Sequence, residues 1–439
     1  MVDLDYDPKS PESILLAAKK LTGKTLRYFM PSDVTNIANK GDLGTLVENY
    51  FFFINPGNSP EPDFKEANLE LKTTGLVKKA DGTYRAKERL VLTMINYETL
   101  VTETWTASSF LKKCSSMLLL FYEYIKDVSV IDRKFVIDPL LYSLPEEDRA
   151  QIRRDWETIQ AKVKAGKAHE LSEGDTFYLG ACRKGSGGPN EKLRKQPFSD
   201  IPAKARAFSF KQGYVDFILA GHINNPGSLG IAETLTFEDA TRARFAPFIG
   251  KTIEELSVSL STHKASSMQK GFHRGLAERM LSEGGTSVKE LVKAGIELKT
   301  IRVNAKGRPN EAMSFPGFKF MDIVNEEWEE SSFANNLEQK FLFVIFQEDG
   351  AGIERLSKVA YWNMPYLDRE EAQRVWEDTK LRVKVDAKNL PKASESRVAH
   401  VRPKARNAAD VLPTPQGDFH TKQCFWLNQN YIQEVIATL

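Results

Sequence analysis

A mixed α/β architecture built as two tandem halves is what this 439-residue chain predicts. Three observations carry that expectation. Short landmarks recur in the same order along the two halves, apolar strand-like runs alternate with helical patterns, and a Gly/Pro/Asn-rich stretch separates the repeats. The length suits two domains of roughly 200 residues, each with enough chain to bury a core. The separating stretch is AGHINNPGSLG, Ala220 to Gly230, which places the halves at residues 1–221 and 231–439.

The elements can be taken in chain order. Ser10-Pro11-Glu12 precedes an apolar 3–4 pattern (Ile14, Leu15, Ala18, Leu21) that Gly23 stops, which predicts a capped helix. Its counterpart, Phe237 to Ile249, is stopped by Gly250, 227 positions after Gly23. KGDLGTLVE (Lys40 to Glu48) and KGFHRGLAE (Lys270 to Glu278) each read as the start of a helix. ELKT comes next at Glu70 and again at Glu297, also 227 apart. WTASSF (Trp105 to Phe110) pairs with WEESSF (Trp328 to Phe333), and FSFKQGYVDFI (Phe208 to Ile218) with FWLNQNYIQEVI (Phe425 to Ile436). The last two pairs are separated by 223 and 217 residues, the drift expected of an old duplication with small insertions. Leu90 to Ile95, Met117 to Tyr122 and Phe341 to Phe346 predict buried strands.

Composition excludes several classes. The net charge of +2 gives no global sign of a polyanionic partner, so any such footprint must be local. Cys114, Cys182 and Cys424 are scattered and form no CxxC pair, which argues against a disulfide framework or zinc site and fits a cytoplasmic setting. The acidic, polar start MVDLDYDPKSPES is not a signal peptide, and no apolar run is long enough to span a bilayer.

The chemistry concentrates around PDFKEANLELKT. In LELKT, Leu69 and Leu71 are expected to face the core while Glu70 and Lys72 share the other face of the strand. Asp63 lies seven residues before Glu70, after a turn-forming NPGNSPEP, so a bend can bring the two carboxylates together. Two carboxylates suit a hard divalent ion such as Mg²⁺, and a neighbouring lysine can orient water and offset phosphate charge. Glu48, on a helix, is expected to complete the metal shell or to hold a second ion. A strand alternating Leu with Glu and Lys is also what any half-exposed strand looks like; the duplicated context is what favours a phosphodiester-cutting site.

These blocks resemble MutH, the GATC-nicking endonuclease of mismatch repair, and the type II restriction endonucleases related to it. KGDLGTLVE, PDF…LELKT and W…SSFLKK are similar to that family's active-site blocks in order and spacing. The resemblance covers nearly the whole chain and implies two restriction-endonuclease-like domains, each a central mixed sheet flanked by helices. It implies Asp63, Glu70 and Lys72 as the catalytic core, Glu48 as the additional acid, and Lys40 and Lys113 as supporting lysines. In the second half Glu278, Glu297 and Lys299 remain, but Glu290 stands where Asp63 would be and Asn336 replaces Lys113. That half is expected to bind DNA with little or no cutting.

Two segments are locally basic. Arg183 to Lys211 carries eight Lys/Arg against two acids, and Lys380 to Arg406 nine against two. By the resemblance, HVRPKARNA is similar to the loop that contacts GATC, which implies Arg402 and Lys404 as DNA contacts. The matching place in the first half is LGACRKGSG, with Arg183 and Lys184. Arg206, Lys211 and Lys422 are further candidates. The expected function is a Mg²⁺-dependent type II restriction endonuclease cutting double-stranded DNA at GATC, as a dimer on DNA. The alternatives are a mismatch-repair nickase and a non-catalytic DNA-binding protein.

Overall fold

The computed structural model describes residues 6–31, 43–54, 61–185, 191–224, 236–260, 271–282 and 288–439. Lys40, most of NPGNSPEP and the centre of the stretch between the halves lie outside them. The architecture is mixed α/β, and the duplication is visible strand by strand.

In the first half, β1 (Glu70–Lys78), β2 (Tyr84–Ala86), β4 (Ser116–Glu123) and β5 (Phe135–Ser143) form a sheet in the order β2-β1-β4-β5. β1 and β4 run parallel and the outer pairs antiparallel, so the sheet is mixed. A second sheet, all antiparallel, orders β3 (Leu90–Met94), β9 (Arg206–Phe210) and β6 (Leu179–Arg183) as β3-β9-β6. A two-stranded ribbon joins β7 (Arg194–Gln196) and β8 (Ser199–Ala203).

The second half repeats the scheme. β10 (Ile296–Val303) lies parallel to β12 (Lys340–Glu348), which pairs antiparallel with β13 (Glu354–Asn363). β11 (Met313–Phe318), β17 (Gln423–Leu427) and β14 (Ala399–Pro403) form the antiparallel sheet, and β15 (Val411–Pro413) with β16 (Phe419–Thr421) the ribbon. Helices Glu146–Lys164 and Tyr366–Val385 occupy equivalent places in the chain order.

Local chemistry repeats too. Ser10 caps the helix Pro11–Ala18, and Gly23 beyond it adopts φ +78°, its N–H donating to the Phe135 carbonyl at 2.7 Å. Gly250 adopts φ +82° and donates to the Leu356 carbonyl at 2.8 Å. Both backbones need the left-handed conformation that glycine adopts without penalty. In WTASSF the Ser108 hydroxyl accepts from Leu111 N–H (3.2 Å) and donates to the Trp105 carbonyl (2.8 Å). Ser331 of WEESSF does the same with Ala334 N–H (3.1 Å) and Trp328 (2.8 Å). The repeated serines are N-caps that aim the helices Ser109–Cys114 and Ser332–Leu337.

The parallel strands are buried on both faces. Along β4, Leu118 and Leu120 enter one core with Ile14, Val47, Phe51 and Leu69, while Met117, Leu119 and Phe121 enter another. That second core is continuous across the molecule, from Phe208 and Tyr214 to Phe237, Leu298, Leu342 and Leu356. Two glycines allow the halves to approach closely. A Cβ on Gly213 would lie 1.8 Å from the Val292 carbonyl oxygen, and one on Gly174 would lie 2.8 Å from Asn363 Cβ.

One expected correspondence fails. Asp63 lies in an irregular turn that includes Asn68 at φ +49°, whereas Glu290, its counterpart in sequence, sits within the helix Val288–Lys293. Among the described residues, no helix is long and apolar enough to cross a membrane.

Candidate active site and basic surfaces

β1 leaves its turn at Glu70, and the alternation of the strand sends Leu69 and Leu71 into the core. The opposite face is not open to solvent as a half-exposed strand would be. Glu70 is only 1% exposed and Lys72 is half-buried. The helix Ser109–Cys114, fixed by its Ser108 cap, brings Lys113 to the same carboxylate. Glu70 Oε1 lies 2.6 Å from Lys72 Nζ and 3.5 Å from Lys113 Nζ. Glu70 Oε2 is buried and, among the described residues, has no hydrogen-bond partner. A buried, unpaired carboxylate oxygen costs free energy unless something outside the chain satisfies it.

Glu48 opens a π-helical turn, Glu48–Phe52, that continues the helix Leu43–Val47 and ends at Phe53 with φ +56°. Such turns re-aim side chains within an otherwise regular helix. Burial, then the charges of Asp63 and Glu70, push the Glu48 carboxyl up to about 7. Burial and Asp63 also raise Glu70, opposed by Lys72 and Lys113. Burial alone would lower the Lys72 ammonium, yet Glu70 and its neighbours hold it above its ordinary value. These groups therefore feel one another's charge.

Asp63 Oδ2 accepts the Leu71 backbone N–H at 2.9 Å. Among the described residues, no three His, Cys, Asp or Glu side chains are arranged as a ready-made metal cage. The expected Glu48/Asp63/Glu70 shell is represented by a neighbourhood of interacting acids, in which Glu70 Oε2 is buried and unpartnered among the described residues. Sequence reasoning missed Cys114 in this neighbourhood. Its thiol is fully buried and pushed up to about 12, by burial first, with Lys72 and Lys113 opposing.

The corresponding place in the second half is built differently. Glu297 pairs with Lys299 at 3.3 Å, its side chain 38% exposed. Glu278 pairs with Arg274 at 2.9 Å. The Asn336 side chain donates to the Ser332 carbonyl instead of reaching the acid at the place of Glu70. Glu290 is buried and turned toward the first half, where the Tyr178 hydroxyl donates to it at 2.8 Å.

The basic candidates separate into two groups. Arg183, Arg206 and Lys211 are placed in the junction between the halves, which corrects the expectation that they face DNA. Arg183 lies 3.3 Å from Glu338 and 3.8 Å from Glu329, and Arg206 3.5 Å from Glu338. Burial would raise Glu338, but Arg183, Arg206, Arg369 and Arg89 bring it down to about 2. Lys211 is buried and donates to the Thr176 carbonyl; burial lowers it to about 8. Asn428, at the equivalent position, donates to the carbonyls of Ser396 (2.6 Å) and Arg397 (3.0 Å). Both residues pin the segment leading into β6 or β14, a structural task that the FSFK/FWLN match did not reveal. Lys184 is half-buried beside them, its N–H on the Ala205 carbonyl.

Arg402 and Lys404 are exposed. The Arg402 guanidinium stacks 3.8 Å above the Trp426 ring, and Lys404 donates to the Phe315 carbonyl at 2.8 Å. Lys422 pairs with Asp410. In register, Arg402 opposite Cys424 of β17 matches Cys182 opposite Ala207 of β9, and Arg183 opposite Arg206 matches Pro403 opposite Gln423.

Comparison with known proteins matches the chain to a family. The family described as "DNA mismatch repair enzyme MutH" matches twice, at residues 52–155 and 281–385. The type II restriction enzyme Sau3AI of Staphylococcus aureus is 34% identical over 96% of this chain and 97% of its own length. The DNA mismatch repair protein MutH of Salmonella paratyphi C is 28% identical, covering 50% of this chain and 96% of its own. One relative is therefore as long as the whole chain, and the other is the size of one half.

Proposed function

The chain belongs to the MutH-like type II restriction enzymes, and on that premise we propose that it hydrolyses double-stranded DNA at GATC with Mg²⁺. The first half cuts. The second half binds DNA as an allosteric or dimerising module. The observation that carries this reading is the Glu70 carboxylate: buried, with one oxygen shared by two lysines and the other left open. Glu70, with Asp63 and Glu48 beside it, would hold the divalent ion, which when bound supplies charge neutralisation and a more acidic water.

The protein's own groups have definable tasks. Lys72, held in place by Glu70, presents an ammonium where a phosphate approaches and offsets the charge that grows as water attacks phosphorus and the ester bond breaks. Lys113 holds the Glu70 oxygen that Lys72 also uses, which leaves the other oxygen as the atom that would take the ion. Lys40 belongs to the proposed set by resemblance and lies outside the described residues.

With one such site per chain, a double-strand break requires two chains on the DNA or two successive nicks. The three cysteines are buried and free of disulfides, as suits a cytoplasmic protein. The test is a GATC-bearing plasmid incubated with Mg²⁺ or with EDTA. Linear fragments in Mg²⁺ alone support restriction, persistent open circles support a nickase, and intact supercoils with a gel shift support DNA binding without cutting.

A further inference from the structure

We propose that Lys112 is a positioning residue for the active site: through Glu61 it clasps the turn that carries Asp63 to the helix that carries Lys113. The inference rests on the reading of the first half as the cutting half and gives Lys112 a task that the reading does not contain.

Asp63 belongs to no helix or strand. The turn that follows it is closed by the Phe64–Leu69 backbone bridge, whose two N–H···O bonds measure 3.0 and 3.2 Å, with Asn68 at φ +49° inside it. One flank of Asp63 is locked by packing, since the buried Phe64 ring meets the Phe52 ring edge-on at 5.0 Å. On the other flank Glu61 Oε1 lies 2.5 Å from Lys112 Nζ. Between these anchors Asp63 accepts the Leu71 N–H.

Lys112 and Lys113 are consecutive in the helix Ser109–Cys114, so their side chains leave it in different directions. Lys113 reaches Glu70, and Lys112 reaches the segment that leads into Asp63. One short helix, aimed by its Ser108 cap, therefore touches the supports of both carboxylates. Both members of the Glu61–Lys112 pair are about half exposed, and a pair so placed adds little to global stability. Its consequence is local. Without it the Glu61 flank is released from the helix, and the place of Asp63 relative to Glu70 is less closely fixed. Groups that would hold an ion depend on such outer supports.

The second half supplies the contrast. The step of 223 residues that relates WTASSF to WEESSF takes Lys112 to Asn335, and the step of 227 that relates the ELKT strings takes Glu61 to Val288. Neither member of the clasp is kept there, and neither is the turn. Val288 opens a helix, and the Asn335 side chain accepts a hydrogen bond from Arg89 of the first half at 3.1 Å. Glu61 and Lys112 thus stand together in the half that keeps Asp63 and are replaced together in the half that does not.

The test uses the full-length protein, a GATC plasmid and a Mg²⁺ titration. Lys112→Met, with an unaltered melting temperature, should raise the Mg²⁺ concentration for half-maximal cleavage roughly tenfold and leave the maximal rate near the parent's. Combining Glu61→Lys with Lys112→Glu reverses the pair and should restore most of the parent's Mg²⁺ response. A second readout needs no metal. Hydrogen exchange at the Leu71 amide, the donor to Asp63, should quicken in Lys112→Met and slow again in the reversed pair, with the Leu118 to Leu120 amides of β4 unchanged. A parent-like Mg²⁺ response and parent-like Leu71 exchange in Lys112→Met would overturn the proposal. So would a loss that the reversed pair does not repair, because Lys112 would then act on the DNA directly and not through Glu61. A parent that leaves the plasmid uncut in Mg²⁺ would instead defeat the endonuclease reading, and Leu71 exchange would still decide whether Lys112 places Asp63.

Discussion

The Tyr178 hydroxyl donates a 2.8 Å hydrogen bond to Glu290 across the junction of the halves. Glu290 is the residue that the internal repeat sets opposite Asp63, so the second copy of an active-site acid serves as an interface acceptor. Beside it Lys293 pairs with Asp148 at 2.6 Å and sits 3.9 Å over the Phe217 ring. Loss of the site and gain of the junction are one structural fact.

Glu290→Asp should therefore fail to create a second cutting site, since the shorter side chain still points at Tyr178. It should lower stability by roughly 1–3 kcal/mol through loss of a buried hydrogen bond. Urea unfolding and a plasmid assay of the variant in a Glu70→Ala background check both parts. Cleavage in that background would contradict the assignment of Glu290 to the junction.

The Lys293–Asp148 pair is buried on both sides. Lys293→Met alone should cost roughly 3–5 kcal/mol, because it leaves Asp148 uncompensated. Adding Asp148→Asn should cost less than the sum of the single changes, which a double-mutant cycle measures.

Glu338 sets a pH dependence. Its carboxyl is held at about 2 in the folded chain, against an ordinary value near 4.5. Because the folded value is the lower one, its stabilisation is present above about 4.5 and disappears as pH falls toward 2. The loss should be on the order of 2–3 kcal/mol. Glu338→Gln should be less stable than the parent at neutral pH and show a shallower decline between pH 5 and 3 in chemical unfolding. An identical decline in both proteins would remove Glu338 from the acid response.

The lysines at the site should separate in assay. Lys72→Ala, which removes the closer 2.6 Å partner of Glu70, should reduce cleavage on the order of a hundredfold or more. Lys113→Ala, at 3.5 Å, should reduce it less, with duplex affinity little changed in either.

Much of this was legible in the chain. The Leu/Glu alternation of LELKT placed β1, and the apolar runs Met117 to Tyr122 and Phe341 to Phe346 placed β4 and β12, but not their parallel pairing with β1 and β10. WTASSF and WEESSF were visible as repeats, yet their shared meaning is a serine N-cap that positions the next helix. The junction was not legible. Counting Lys and Arg between 183 and 211 cannot tell a phosphate partner from Glu329 and Glu338, which lie more than a hundred residues away. Equal spacing also misled. Asp63 and Glu290 each precede their ELKT glutamate by seven residues, but PDFKEAN opens with a proline and bends at Asn68, whereas VKELVK forms a helix.

The central claim, that the first half alone supplies the cutting carboxylate, is tested by comparing Glu70→Ala and Glu297→Ala on a GATC plasmid with Mg²⁺. The account predicts intact supercoils but retained duplex binding for Glu70→Ala, and normal cleavage for Glu297→Ala. Cutting by Glu70→Ala at the parent rate would contradict it.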